Sequence, residues 1–170
     1  MYEDQVRPEP TAISHDPVPP ENVDVAACGF YLVPRPGGIA VHMSVSAEHL
    51  HAMRAQVFKA VAGAGADEHL ADSARLVASE LVANAARLCG PWAPVVVQVA
   101  TDEVHVTVQV HDPQSAVVPE RKAESPDNAQ FESGRGLWIL DVLAPGWQVE
   151  PSPVGKQITC VLPRGKLAAA

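Results

Sequence analysis

The segment from Asp67 to Gly90 constrains this chain more than any other. Leu70, Ala74, Val77, Leu81, Ala85 and Leu88 fall within about 40° of one line when each residue turns the helix by ~100°. Asp67 offers an N-cap, and Gly90-Pro91 ends the run. The segment therefore reads as a long amphipathic helix. Its single apolar stripe must be covered by another layer, so the rest of the chain has to supply one.

Strand-like runs supply it. "IAVHMSVS" (39–46) alternates loosely, and Ser46 then caps a second helix from Ala47 to about Ala62, which "GAG" (63–65) stops. "PVVVQVA" (94–100) and "VHVTVQVHD" (104–112) form a hairpin across Thr101-Asp102-Glu103. "CGFYLV" (28–33) is a short strand before the "PRPGG" punctuation, and "WQVEP" and "QITCVLP" make two last strands. Between them lies an apolar helix, roughly Leu137 to Leu143, stopped by Pro145-Gly146. The order predicts an α+β, two-layer sandwich, with helices on one face of a mostly antiparallel sheet.

Two stretches fall outside this pattern. Residues 1–24 carry Pro8, Pro10, Pro17, Pro19 and Pro20 without any period. They read as a flexible extension or as a docking motif for a partner. Residues 113–133 are polar, contain Pro113, Pro119 and Pro126, and form a loop long enough to serve as a lid.

Composition narrows the function classes. The formal net charge is -8, which argues against direct nucleic-acid binding because phosphate contacts need a basic face. Cys28, Cys89 and Cys160 are sparse and form no CxxC pair, as expected of reduced thiols in a cytoplasmic protein. The N-terminus does not read as a signal peptide, and no apolar run is long enough for a membrane span. His49 and His51 diverge on a helix and lack a Cys or His cluster, so no transition-metal site is expected.

Three places could carry chemistry. Glu80, Asn84 and Arg87 share one face of the long helix, about 60–120° from the apolar stripe. A carboxylate and an amide one turn apart suit Mg²⁺ and a proton-accepting role, although the same spacing also describes a solvated helix face. Asp112, at a strand end, could accept hydrogen bonds from an exocyclic amine or simply cap the Asp-Pro corner. "SGRGLWIL" (133–140) places Gly134 and Gly136 before the apolar helix. Such glycines allow positive φ and close approach, and a helix N-terminus offers free N–H groups to a phosphate. A plain glycine-rich helix entry is the alternative. The dinucleotide fingerprint is excluded by Ile139, and a Walker-type loop by Glu150 and Gln157.

The order of these boxes is more specific than any one of them. "SELVANAARL" (79–88), "VHDP" (110–113), a long polar loop, "GRGLWIL" (134–140) and "GKQITCVLP" (155–163) resemble the GHKL ATPase superfamily with its Bergerat, histidine-kinase-like ATPase fold. Within it, the chain is similar to anti-sigma-factor serine/threonine kinases and to small actinobacterial ATP-binding regulators. The resemblance covers about residues 39–163. It implies an ATP-binding domain over 25–165, the extension over 1–24, and a disordered tail over 166–170.

The resemblance also implies roles. Glu80 matches the glutamate that acts as general base, and Asn84 the asparagine that holds Mg²⁺ against the phosphates of ATP. Arg87 matches a commonly basic position. Asp112 matches the aspartate that accepts the adenine amino group. Gly134, Arg135, Gly136 and Leu137 match the glycine box whose amides meet the phosphates. Leu88 stands where histidine is common, Gln114 where glycine is common, and Gln157 where threonine often bonds near the aspartate. Two functions follow. One is a serine/threonine protein kinase that phosphorylates a small antagonist (anti-anti-sigma-type) protein and controls a sigma factor. The other is a nucleotide-sensing or non-catalytic protein-binding module with the same fold. Pairing of related kinases implies a homodimer through the sheet-side surface near the N-terminal strand.

Overall fold

The computed structural model describes residues 25–27, 29–115 and 135–165. The expected extension (1–24), the tail (166–170) and all of the polar loop except residues 113–115 lie outside the described residues.

Seven strands form one antiparallel sheet: β1 (Val25–Ala27), β2 (Phe30–Arg35), β3 (Gly38–Ser44), β4 (Pro94–Thr101), β5 (His105–Asp112), β6 (Gln148–Ser152) and β7 (Gly155–Pro163). Their spatial order is β1-β2-β3-β4-β5-β7-β6, so β7 inserts between β5 and β6. Three helices, α1 (Ala47–Gly63), α2 (Glu68–Cys89) and α3 (Arg135–Leu143), complete the described structure. This is the two-layer α+β arrangement expected from the sequence.

Local signals set the boundaries. Ser46 caps α1 by accepting from His49 N–H at 3.1 Å, and Asp67 caps α2 by accepting from Leu70 N–H at 2.8 Å. In the β4–β5 turn, Asp102 Oδ1 accepts from the backbone N–H groups of Val104 and His105, each at 2.7 Å. These bonds favour the ionised carboxylate and lower its pKa.

The core follows from strand alternation. Val95, Val97 and Val99 of β4, Val106, Val108 and Val110 of β5, and Ile158, Cys160 and Leu162 of β7 are buried. They pack against Ala74, Val77, Leu81 and Ala85 of α2 and Met53, Val57 and Val61 of α1. Valine dominates the strands and alanine the long helix, so the two layers meet with few aromatics. Leu88 is the exception to the predicted stripe; at the end of α2 it is exposed. His49 belongs to this packing. It is 4% exposed, its Nδ1 lies 2.7 Å from Ser44 O, and its ring stacks beside Phe30.

Candidate functional site

The site lies on the helix-facing side of the sheet, where α2, α3 and the ends of β5 and β7 come together. Glu80 and Asn84 sit on the α2 rim, half-buried beside the stripe formed by Leu81 and Ala85. Among the described residues, the Glu80 carboxylate makes no hydrogen bond or ion pair. The residue before it, Ser79, is held differently. Its hydroxyl donates to Arg75 O at 2.7 Å and accepts from Arg54 Nε of α1 at 2.8 Å. That contact ties α1 to the turn of α2 that presents Glu80.

Gly136 explains the Glu80 environment. A Cβ placed on Gly136 would lie 2.6 Å from Glu80 Oε2, a distance no side chain tolerates without displacement. A larger residue at 136 would push the Glu80 carboxylate, the end of a flexible side chain, out of this position. The structure corrects two expectations here. Helix α3 begins at Arg135 rather than Leu137, and Gly136 is helical instead of adopting positive φ. Close packing against α2 outweighs the weak helix propensity of glycine. Gly134 and the Arg135 side chain lie outside the described structure. Leu137 is half-buried on the same turn.

Asn84 and Arg87 are one turn apart and bonded to each other: the exposed Arg87 guanidinium donates to Asn84 Oδ1. Asn84 Nδ2 is buried and has no hydrogen-bond partner among the described residues. A buried polar atom without a partner is costly in a finished interior. Glu80 and Asn84 together offer hard oxygen atoms of the kind Mg²⁺ takes. The donor set fits that ion, provided that Arg87, already in solvent, releases the amide oxygen.

Asp112 presents the opposite situation. It is 3% exposed, and its Oδ1 accepts from Lys156 Nζ at 3.0 Å and from Gln114 N–H at 2.9 Å. Lys156 is 2% exposed and also donates to Gln114 O at 2.8 Å. The β5–β7 register places Asp112 opposite Lys156. Gln157, expected to stand near the aspartate, instead pairs with His111, and its amide lies 3.4 Å from Thr159 Oγ1. Strand alternation sends its side chain to the other face. Lys156 is thus the site residue that the motif comparison missed. The available signal was the lysine interrupting an apolar strand beside Gly155.

Gly155 makes this pairing sterically feasible. Its φ is +149°, and a Cβ there would overlap Asp112 O and lie 2.7 Å from Pro113 Cα. Cys89, at the end of α2, borders the same cluster. Its thiol pKa is raised by burial and by the Asp112 carboxylate, against smaller lowering effects from Lys156 and the Gln114 backbone N–H. It therefore stays protonated at neutral pH and supplies a neutral wall. A shallow groove of about 360 Å³ involves Tyr31, His42, Val96, His111 and Val154 and reaches Asp112 and Pro113 at its edge. Neither Glu80 nor Asn84 lines it.

A two-layer sandwich with a polar rim on its longest helix and a buried aspartate at a strand end defines a class of nucleotide-binding domain. Residues 43–162, more than half of the chain, match the histidine kinase-like ATPase domain family, and the chain belongs to that family. ATP binding is implied by that membership. No curated protein matches the chain significantly. None of the three described helices is long and apolar enough to cross a membrane.

Proposed function

We propose that this chain is an ATP- and Mg²⁺-binding regulatory protein that acts as an anti-sigma-type serine/threonine protein kinase. The single observation carrying this reading is the Glu80 carboxylate. It is half-buried, lacks a partner among the described residues, and lies against Gly136 in the first turn of α3.

In this reading the N-terminal N–H groups of α3 face phosphate oxygens. Asn84, with Glu80 beside it, would hold Mg²⁺, which would neutralise phosphate charge when bound. Glu80 takes the proton of a serine hydroxyl on the antagonist protein. The serine oxygen bonds to the γ-phosphorus, the bridging P–O bond breaks, and ADP leaves with that electron pair. Arg87 is placed to move from Asn84 to a phosphate oxygen. Asp112 receives the adenine amino group. The partners are the antagonist and a sigma factor, and the setting is the cytoplasm.

Glu80→Ala should keep ATP binding and lose phosphoryl transfer, by about 100-fold or more. Radiolabel transfer from γ-labelled ATP to the antagonist protein measures this. Undiminished transfer would remove Glu80 from its role.

One observation favours the second reading, a nucleotide-sensing or non-catalytic protein-binding module. Asp112 is already engaged by a buried ammonium group. Titration calorimetry with ATP and Mg²⁺, read beside the transfer assay, separates them: no binding by folded protein supports the protein-binding module, and binding without transfer supports the nucleotide sensor.

A further inference from the structure

The kinase reading uses Asp112 but gives Lys156 no task. A lysine 2% exposed in a β-strand is expensive to bury, because its ammonium loses water on every side. Its carboxylate partner offsets only part of that cost. An ammonium has three N–H donors. Among the described residues, Lys156 spends one on Asp112 Oδ1 and one on Gln114 O. Asp112 spends Oδ1 twice, on Lys156 and on the Gln114 N–H, and Oδ2 accepts none of these bonds. The pair is therefore left with one unspent donor beside one unspent acceptor.

We infer that Lys156 is a second base-reading residue, donating directly to N1 of a 6-aminopurine whose amino group is held by Asp112. This rests on the reading of Asp112 as the base-binding carboxylate. A 6-aminopurine carries a donor (the amino group) and an acceptor (N1) on adjacent positions of one edge. That order complements a carboxylate oxygen next to an ammonium. A 6-oxopurine carries the reverse order, an acceptor at position 6 and a donor at N1. Three placements hold the couple in a fixed order. The β5–β7 register sets Asp112 opposite Lys156. Gly155 lets β7 lie against the Asp112-Pro113 backbone. The Gln114 peptide bonds to both members. Lys156 thereby sets base choice, while the α2 rim handles the phosphates.

The test compares ATP with 1-deaza-ATP, which keeps the amino group and lacks the N1 acceptor, by titration calorimetry on the full chain. The wild type should bind 1-deaza-ATP about 10- to 100-fold more weakly than ATP, the range of a hydrogen bond to a charged donor. In Lys156→Met the ratio should fall to about 1, and in Lys156→Gln, which keeps a neutral donor, it should lie between. Inosine triphosphate should bind the wild type more weakly than ATP. Equal binding of ATP and 1-deaza-ATP by the wild type would overturn the role of Lys156 while leaving Asp112 as base acceptor, and so would tighter binding of inosine triphosphate. Failure of the wild type to bind ATP at all would overturn both. The wild-type comparison needs no variant, so it stands even if Lys156→Met does not fold.

Discussion

Two polar clusters lie on the helix-facing side of the sheet, and they are built on opposite plans. At the ends of β5 and β7, Asp112 and Lys156 are both nearly inaccessible and bonded to each other and to the Gln114 backbone. On the α2 rim, Glu80 has no partner among the described residues, and Asn84 keeps a buried amide nitrogen unpaired. The first cluster stabilises its own charges inside the fold. The second leaves polar groups for a ligand to complete. Damage to the first should therefore cost stability along with base binding, and damage to the second should cost function at unchanged or higher stability.

The largest effect is expected at Gly155. Alanine there would drive its Cβ into the Asp112 carbonyl and against Pro113, both backbone groups that cannot rotate away. Gly155→Ala should cost about 4 kcal/mol or more, read by urea or thermal unfolding. A loss below about 1 kcal/mol would show that β7 can slide away from β5 cheaply and that the paired cluster is not rigidly placed.

Asp112→Ala should come next, at about 3 kcal/mol, because it leaves the Lys156 ammonium buried without its counter-charge. The double variant Asp112→Leu with Lys156→Met should recover most of that loss, since two apolar side chains need no partner. The surface pair Arg75–Asp72, whose side chains are 46% and 53% exposed, supplies the control. Asp72→Asn should change stability by less than about 0.5 kcal/mol. Equal costs for Asp112→Ala and Asp72→Asn would erase the distinction between the clusters.

Glu80→Gln tests the other cluster from the opposite sign. It removes a half-buried, unpartnered charge and keeps the shape, so stability should hold or rise by about 0.5 kcal/mol or more while transfer is lost. A clear destabilisation would mean that Glu80 is a structural group.

The fold was legible because its signals were local. The Ser46 and Asp67 caps, the 3.6-residue period of α2 and the alternation in β4 and β5 each specify one element, and the structure agrees with all of them. The start of α3 was less legible. Glycine at 136 argues against a helix by propensity, and its closeness to Glu80 of α2 is visible only in the fold. Lys156 was hidden for a similar reason. Its place opposite Asp112 depends on a register between strands far apart in sequence, and a comparison of boxes along the chain pointed to Gln157 instead. Glu80, Asn84 and Asp112 were candidates by residue type and spacing and were singled out by the order of the boxes, whereas their opposite states of pairing were not legible.

The smallest effect compares Lys156 with a buried neighbour that has no charge partner. Cys160 lies on the same face of β7, also inaccessible. Burial alone pushes its thiol up to about 12 from 9.0, so it remains a neutral packing group while Lys156, with Asp112 at 3.0 Å, sits in an ion pair. The sign of the linkage follows from proton counting. With the folded pKa above the unfolded one, the folded chain keeps a proton that the unfolded chain releases. Stability from this group is complete below about pH 9 and declines as pH rises toward about 12. Cys160→Val should therefore flatten the alkaline decline, with little change at pH 7. Thermal melts of wild type and variant from pH 7 to pH 11 measure the difference in slope. Parallel slopes would mean that the thiolate is tolerated inside the fold, and that burial without a partner does not separate the two residues.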